Sequence, residues 1–153
     1  EDIIEDLEVQ IKVIVVGNGG VGKSSLALRF SKNVFTDEYK KTVGVDFLRK
    51  TKFIKSVDKE IDFHVWDTAG QEYFDAITRK YYQGAQVALF VFSVTDRDSF
   101  TAITKWKEKV SDVCAKDIPM ILIMNKIDVP EEEKKVSDDE AVRMAATVEM
   151  LLY

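Results

Sequence analysis

Ile11-Lys12-Val13-Ile14-Val15-Val16-Gly17-Asn18-Gly19-Gly20-Val21-Gly22-Lys23-Ser24-Ser25 is the stretch that decides how this chain folds. Ile11 to Val16 is almost continuously apolar, the pattern of a strand buried on both faces. It ends in Gly17-x-x-x-x-Gly22-Lys23-Ser24, a glycine-rich loop with a lysine and a hydroxyl at its exit. A helix is expected from about Lys23. Glycines let the backbone fold so that several N–H groups point inward at phosphate oxygens, and the helix start adds partial positive charge. Asn18, Gly19, Gly20, Val21, Gly22, Lys23, Ser24 and Ser25 are therefore candidate nucleotide-binding residues. Lys23 should reach the β- and γ-phosphates, and Ser24 should offer its hydroxyl to Mg²⁺. The position after a buried strand and before a helix sets this loop apart from a merely structural glycine turn.

The pattern outward from this loop alternates strands with helices. Val45 to Ile54 and Lys59 to Asp67 read as two strands joined by a short polar turn. Val87 to Val94 and Met120 to Asn125 read as two more buried strands. Between those two, Asp98 to about Cys114 reads as a helix, with Phe100, Ile103, Val110 and Val113 at helical spacing. A last helix starts near Ser137, where Ser137 and Glu140 have capping-box spacing. Such alternation implies an α/β fold: a mostly parallel sheet with helices on both faces. The close pairing of the second and third strands predicts one antiparallel edge strand.

Composition narrows the function. The chain has 153 residues, 46% hydrophobic and 32% charged, which suits one domain with a real core. A formal charge of −5 with no basic cluster argues against non-specific nucleic-acid binding. No apolar run approaches the ~20 residues that span a bilayer, and the acidic stretch Glu1 to Glu8 does not read as a secretory signal. The single cysteine, Cys114, makes an intrachain disulfide impossible and fits a reducing compartment. It reads as a small apolar residue on a helix.

Two further motifs fall at strand ends. Asp67-Thr68-Ala69-Gly70 follows the third strand, so Asp67 would hold Mg²⁺ through a water and the Gly70 N–H would contact the γ-phosphate. Asn125-Lys126-Ile127-Asp128 ends the strand from Met120. Guanine presents N1–H and a 2-amino group to one carboxylate, whereas adenine has an acceptor at N1 and no 2-amino group. Asp128 therefore selects guanine, because adenine leaves a buried charged group unpaired. Lys126 can lay its aliphatic stem over the purine face, and Asn125 would tie this loop to the phosphate loop.

These three motifs, in this order and spacing, resemble the Ras superfamily, and within it the Rab family of small GTP-binding proteins with the P-loop NTPase fold. Val43-Gly44-Val45-Asp46-Phe47, Trp66-Asp67-Thr68-Ala69-Gly70-Gln71-Glu72 and Tyr81-Tyr82-Gln83-Gly84-Ala85 are similar to Rab signatures, with Gln83 where an arginine is usual. Gly17-Asn18-Gly19, Tyr39-Lys40-Lys41-Thr42-Val43 and Phe74-Asp75-Ala76-Ile77-Thr78 are most similar to the subfamily numbered twenty-three. The resemblance implies that Thr42 binds Mg²⁺ and senses the γ-phosphate, that Phe35 stacks near the base, and that Tyr39 covers the phosphates. Gln71 would be the catalytic residue that orients the attacking water. Asn33 to Gly44 and Thr68 to Gly84 would be the two switches. It implies slow GTP hydrolysis with Mg²⁺ as cofactor, stimulated by a GTPase-activating protein, since no arginine finger is evident. Arg79 reads as a solvated helix residue.

Exchange factors and effectors are the other implied partners. The resemblance also implies a cytoplasmic protein cycling onto the cytosolic face of membranes by a prenylated tail. It further implies a strand and helix after Tyr153, so the 1–153 stretch reads as a single G domain short of its last strand, helix and tail. A base-binding loop is expected in that missing part.

Alternation along the third strand puts Ile61, Phe63 and Val65 on one face and Asp62, His64 and Trp66 on the other, taken as solvated. In Rab proteins Phe47, Trp66 and Tyr81 would form an apolar effector patch. His64 alone makes a poor metal site. Glu131 to Glu133, followed by two lysines, reads as a solvated loop. Two other functions stay open on the sequence: a nucleotide-locked scaffold without turnover, and a P-loop kinase or ATPase, against which Asp128 speaks.

Overall fold

A computed structural model describes residues 9–36, 38, 45–68 and 75–153. Strand β1 (Val9–Val16) leads through the glycine loop into α1 (Lys23–Lys32). Strands β2 (Val45–Ile54) and β3 (Lys59–Thr68) follow, then α2 (Asp75–Tyr82), β4 (Val87–Ser93), α3 (Arg97–Thr101) and α4 (Ile103–Ser111). β5 (Met120–Asn125), a 3₁₀ turn at Glu131–Glu133, α5 (Asp138–Thr147) and β6 (Leu151–Leu152) complete the order.

The six strands lie in the order β2-β3-β1-β4-β5-β6. Only β2 and β3 pair antiparallel; β1–β3, β1–β4, β4–β5 and β5–β6 are parallel. The expected α/β sheet with one antiparallel edge is the one observed. From β1 the chain goes by α1 to the β2–β3 side, and α2 then carries it across to β4 on the other side of β1. A crevice must open where those connections part, at the carboxyl end of β1.

Alternating residues of β1 feed two cores, which is why its sequence is apolar throughout. Ile14 and Val16 join Phe90 and Phe92 of β4, Ile103 and Val110 of α4, and Ala141 and Ala145 of α5. Val13 and Val15 face the other way with Val65 and Val91, and there α1 contributes Leu26 and Ala27. Phe63 and Val65 do lie on that second face, as strand alternation predicts.

Several local expectations need correction. Asp98 to Cys114 is not one regular helix: it divides at Ala102 into α3 and α4, and α4 ends at Ser111. Asp96, not the helix interior, provides the N-cap by accepting from Asp98 and Ser99 N–H. Cys114 lies just past α4, buried, with its thiol donating to the Tyr82 carbonyl at 3.1 Å. A strand was expected only beyond Tyr153, yet Leu151–Leu152 already pairs with β5. The Ser137–Glu140 capping box is present. Among the described residues no helix is long and apolar enough to cross a membrane.

Phe92 is fully buried and edge-on to Phe100, with ring centroids 5.1 Å apart. Phe92→Ala should lower unfolding free energy by about 3–5 kcal/mol, measured by urea denaturation; a loss near zero would contradict this core assignment.

Candidate functional site

Each element around the crevice places one or two side chains by a local constraint. Gly17 closes β1 with φ +145°, and a Cβ there would lie 2.3 Å from the Val91 carbonyl oxygen of β4. Only glycine lets the loop leave the sheet at that point. Gly22 has φ +101°, and its Cβ would lie 2.3 Å from Asn125 Nδ2. That contact exists because the Asn125 amide donates to the Val21 carbonyl at 2.8 Å, so the loop after β5 is strapped to the glycine-rich loop after β1. Lys126, with φ +63°, adds a second strap through Nζ to the Gly20 carbonyl at 2.8 Å.

α3 and α5 are capped by Asp96 and Ser137, and α5 has three acidic residues in its first turn. α1 differs: it begins at Gly22 with no side-chain cap and no acidic residue in its first turn, so its own first turn supplies no charge to offset the dipole. Lys23 is 5% exposed. Its Nζ donates to the Asn18 carbonyl at 2.8 Å. Burial lowers its pKa from the ordinary 10.5 to about 8, against the opposing pull of Asp67.

Ser24 donates its hydroxyl to Asp67 Oδ2. Asp67 is buried at the end of β3, and the neighbouring Thr68 is fixed by donating to the Val15 carbonyl at 2.8 Å. Two hard oxygen donors from different elements thus meet beside the lysine ammonium. That donor set fits Mg²⁺, which takes one or two protein oxygens and completes its shell with water and substrate phosphates. Among the described residues no cluster of three or more His, Cys, Asp or Glu forms a protein-only cage.

Of the remaining expected site residues, Val21 is buried, Ser25 is half-buried, and Gly19, Gly20 and Asp128 are exposed around the crevice. Phe35 is exposed, 6.0 Å from the Arg29 guanidinium. Tyr39, Thr42, Gly70 and Gln71 lie outside the described residues. Phe47, Trp66 and Tyr81 do come together: Phe47 and Trp66 centroids are 4.7 Å apart, and Trp66 and Tyr81 are 5.3 Å apart. Arg79 is exposed, as expected of a solvated helix residue.

The outward face of β3 is less solvated than alternation suggested. Asp62 is fully buried, because Arg49 covers it with two hydrogen bonds and His64 Nε2 lies 2.9 Å from its Oδ2. The Arg49 and then the His64 hydrogen bonds hold its carboxyl below the usual carboxylate range. Lys12 was not singled out either. It reaches over the Trp66 ring at 4.9 Å and donates to the Gln83 carbonyl at 2.8 Å. A lysine inside an apolar run was the available signal, since its charged end must emerge somewhere.

The sequence from residue 12 to 153 matches the Ras family. The chain belongs to that family. Its relatives are Rab-like. Ras-related protein Rab-18-B of Danio rerio is 38% identical over 148 residues, covering 96% of this chain and 70% of that protein. Ras-related protein Rab-1 of Theileria parva is 41% identical over 143 residues, covering 93% of this chain and 64% of that protein. GTP-binding protein yptV2 of Volvox carteri is 39% identical over 132 residues, covering 86% and 60%. The chain thus spans between 60% and 70% of the length of these Ras-family relatives.

The lowered pKa of Lys23 carries a sign that can be tested on the ligand-free chain. Between pH 8 and 10.5 the unfolded state binds more protons, so stability should rise with pH through that window. Below pH 8 the full cost of burying the ammonium is present. Urea denaturation across this range should show a rise on the order of 1–3 kcal/mol in the wild type relative to Lys23→Met. Parallel pH profiles for the two proteins would contradict it.

Proposed function

We propose that this Ras-family chain is a Rab-type GTPase switch: it binds guanine nucleotide with Mg²⁺, hydrolyses GTP slowly, and recruits effectors while GTP is bound. The observation that carries this reading is the double strap between loops. Asn125 and Lys126, from the loop that would read the base, hold the carbonyls of Val21 and Gly20 in the loop that would hold the phosphates. Base recognition and phosphate binding are then one rigid unit.

In this reading Lys23 keeps the Asn18 carbonyl and gives its remaining N–H donors to phosphate oxygens, which offsets its burial. Backbone N–H groups of residues 19–25 and the start of α1 neutralise the rest. Ser24, Asp67 and Thr42 would hold Mg²⁺, whose chemistry is to neutralise charge on the β- and γ-phosphates. Asp128 accepts from guanine, Phe35 and Tyr39 flank the nucleotide, and Gly70 N–H contacts the γ-phosphate. Gln71 orients the water that attacks the γ-phosphorus; GDP leaves with the bridging oxygen. Loss of the γ-phosphate frees the segments around Thr42 and Gly70, and the entropy they regain opposes partner binding.

Rab-like kinship supports the further reading that exchange factors, GTPase-activating proteins and effectors act on the chain at the cytosolic face of membranes. A prenylated tail in the full-length protein would supply the anchor. The finer likeness to the subfamily numbered twenty-three rests on residues 17–19, 39–43 and 74–78.

Two measurements test the reading. In competition against a fluorescent GDP analogue, GTP and GDP should displace it while ATP at a hundredfold excess does not, and Asp128→Asn should admit xanthosine diphosphate; equal competition by ATP would refute guanine selection. Gln71→Leu should slow single-turnover hydrolysis by at least about tenfold with nucleotide still bound, and wild-type turnover would refute the role given to Gln71.

A further inference from the structure

The loop Gly17–Gly20 contains three glycines and one side chain, Asn18. That side chain is therefore the stretch's own side-chain handle on the protein body, beside the Lys126 strap on the Gly20 carbonyl. Its Oδ1 accepts from Trp106 Nε1–H at 2.9 Å, across 88 residues of sequence. Trp106 is 5% exposed and sits on α4 between Ile103 and Val110, both fully buried. The indole is thus mounted on a rigid element, with the Lys109 ammonium 4.8 Å from its ring. A groove of about 360 Å³ beside this loop has Asn18 and Trp106 in its wall, together with Asp96, Asp98, Lys105 and Lys109.

Asn18 is also the residue whose carbonyl holds Lys23, at 2.8 Å. One residue thereby links a helix on the far side of the loop to the buried ammonium. We propose that Trp106 is a positioning residue for the phosphate loop: by fixing Asn18 it places Lys23 and prolongs nucleotide residence. The proposal rests on the nucleotide reading of the crevice. Without the indole N–H, Asn18 loses its side-chain anchor while the Lys126 strap on Gly20 remains, and the glycines on either side of Asn18 regain backbone freedom. Lys23 then loses a fixed carbonyl, and bound phosphate loses a fixed ammonium.

Trp106→Phe keeps most of the ring and removes the N–H; Asn18→Leu removes the acceptor at similar volume. Each should speed release of a fluorescent GDP analogue, with Mg²⁺ present, by about three- to tenfold, the range for one neutral hydrogen bond. The double variant should release no faster than the faster single variant. Phosphorus NMR of bound GDP should show the phosphate resonances displaced in both single variants, which a ring that only fills the core would not do. Unchanged release, additive effects in the double variant, or unmoved phosphate resonances would overturn the proposal. If the wild type holds no GDP, it is the nucleotide reading that fails. The link is then judged by nitrogen NMR of the two indoles: Asn18→Leu should move the Trp106 resonance and leave Trp66 in place, and an unmoved Trp106 resonance overturns it.

Discussion

The ammonium of Lys23 is the constraint on which the rest of the site depends. It is buried at the start of a helix, where the macrodipole is also positive. Burying a charge in that place is unfavourable, and the single carbonyl of Asn18 offsets only part of it. Asp67 pulls the other way, yet its carboxylate also accepts from Ser24. In the proposed reading, phosphate on Lys23 together with Mg²⁺ on Ser24 and Asp67 would complete that balance. Burial then works in favour of binding, because the attraction acts where water does not screen it. A surface lysine would have a resting state without strain and a weaker hold on phosphate.

The sheet makes that arrangement possible. β1 is flanked by β3 and β4, so Gly17 emerges between Asp67 at the end of one neighbour and Val91 of the other. The glycine loop is pressed against the β4 backbone on one side and held by Asn125 from the next strand on the other. Three parallel strands and one helix start thus converge on a short stretch of chain. Their relative heights are set by ladder hydrogen bonds and by cores on both faces, which resist small displacements. The positions of the functional groups follow from the packing that folds the domain.

This convergence explains what the sequence made legible. Buried strands write continuous apolar runs, and Gly17 and Gly22 stand where a Cβ would collide with Val91 and Asn125. The order of motifs along the chain was therefore enough to anticipate the fold and the crevice. The interruption at Ala102 left no trace, since alanine fits a regular helix as well as a joint. Trp106 lies on the buried stripe of α4 with Ile103 and Val110 and was given no role, although an indole N–H in a core needs an acceptor. Its acceptor lies 88 positions away, and no local pattern points there. Asp62 was taken as solvated for the same reason. Period-two alternation tells which way a side chain leaves the sheet, and says nothing of whether a cross-strand arginine will fold over it.

That arginine matters for the outer face of the sheet. Arg49 and His64 are register partners on β2 and β3, and both turn to the Asp62 carboxylate. Held in that way, His64 presents its ring edge-on to Phe47, 5.3 Å away. Phe47 leans on Trp66, and Trp66 leans on Tyr81, while Lys12 sits above the indole. A buried carboxylate at one end and a helix at the other thus brace one aromatic row. Side chains already fixed lose little entropy when something docks on them. Exposed aromatics without such bracing would have to be ordered at the moment of binding. The polar residues of this face therefore serve the apolar ones, by holding them in one arrangement.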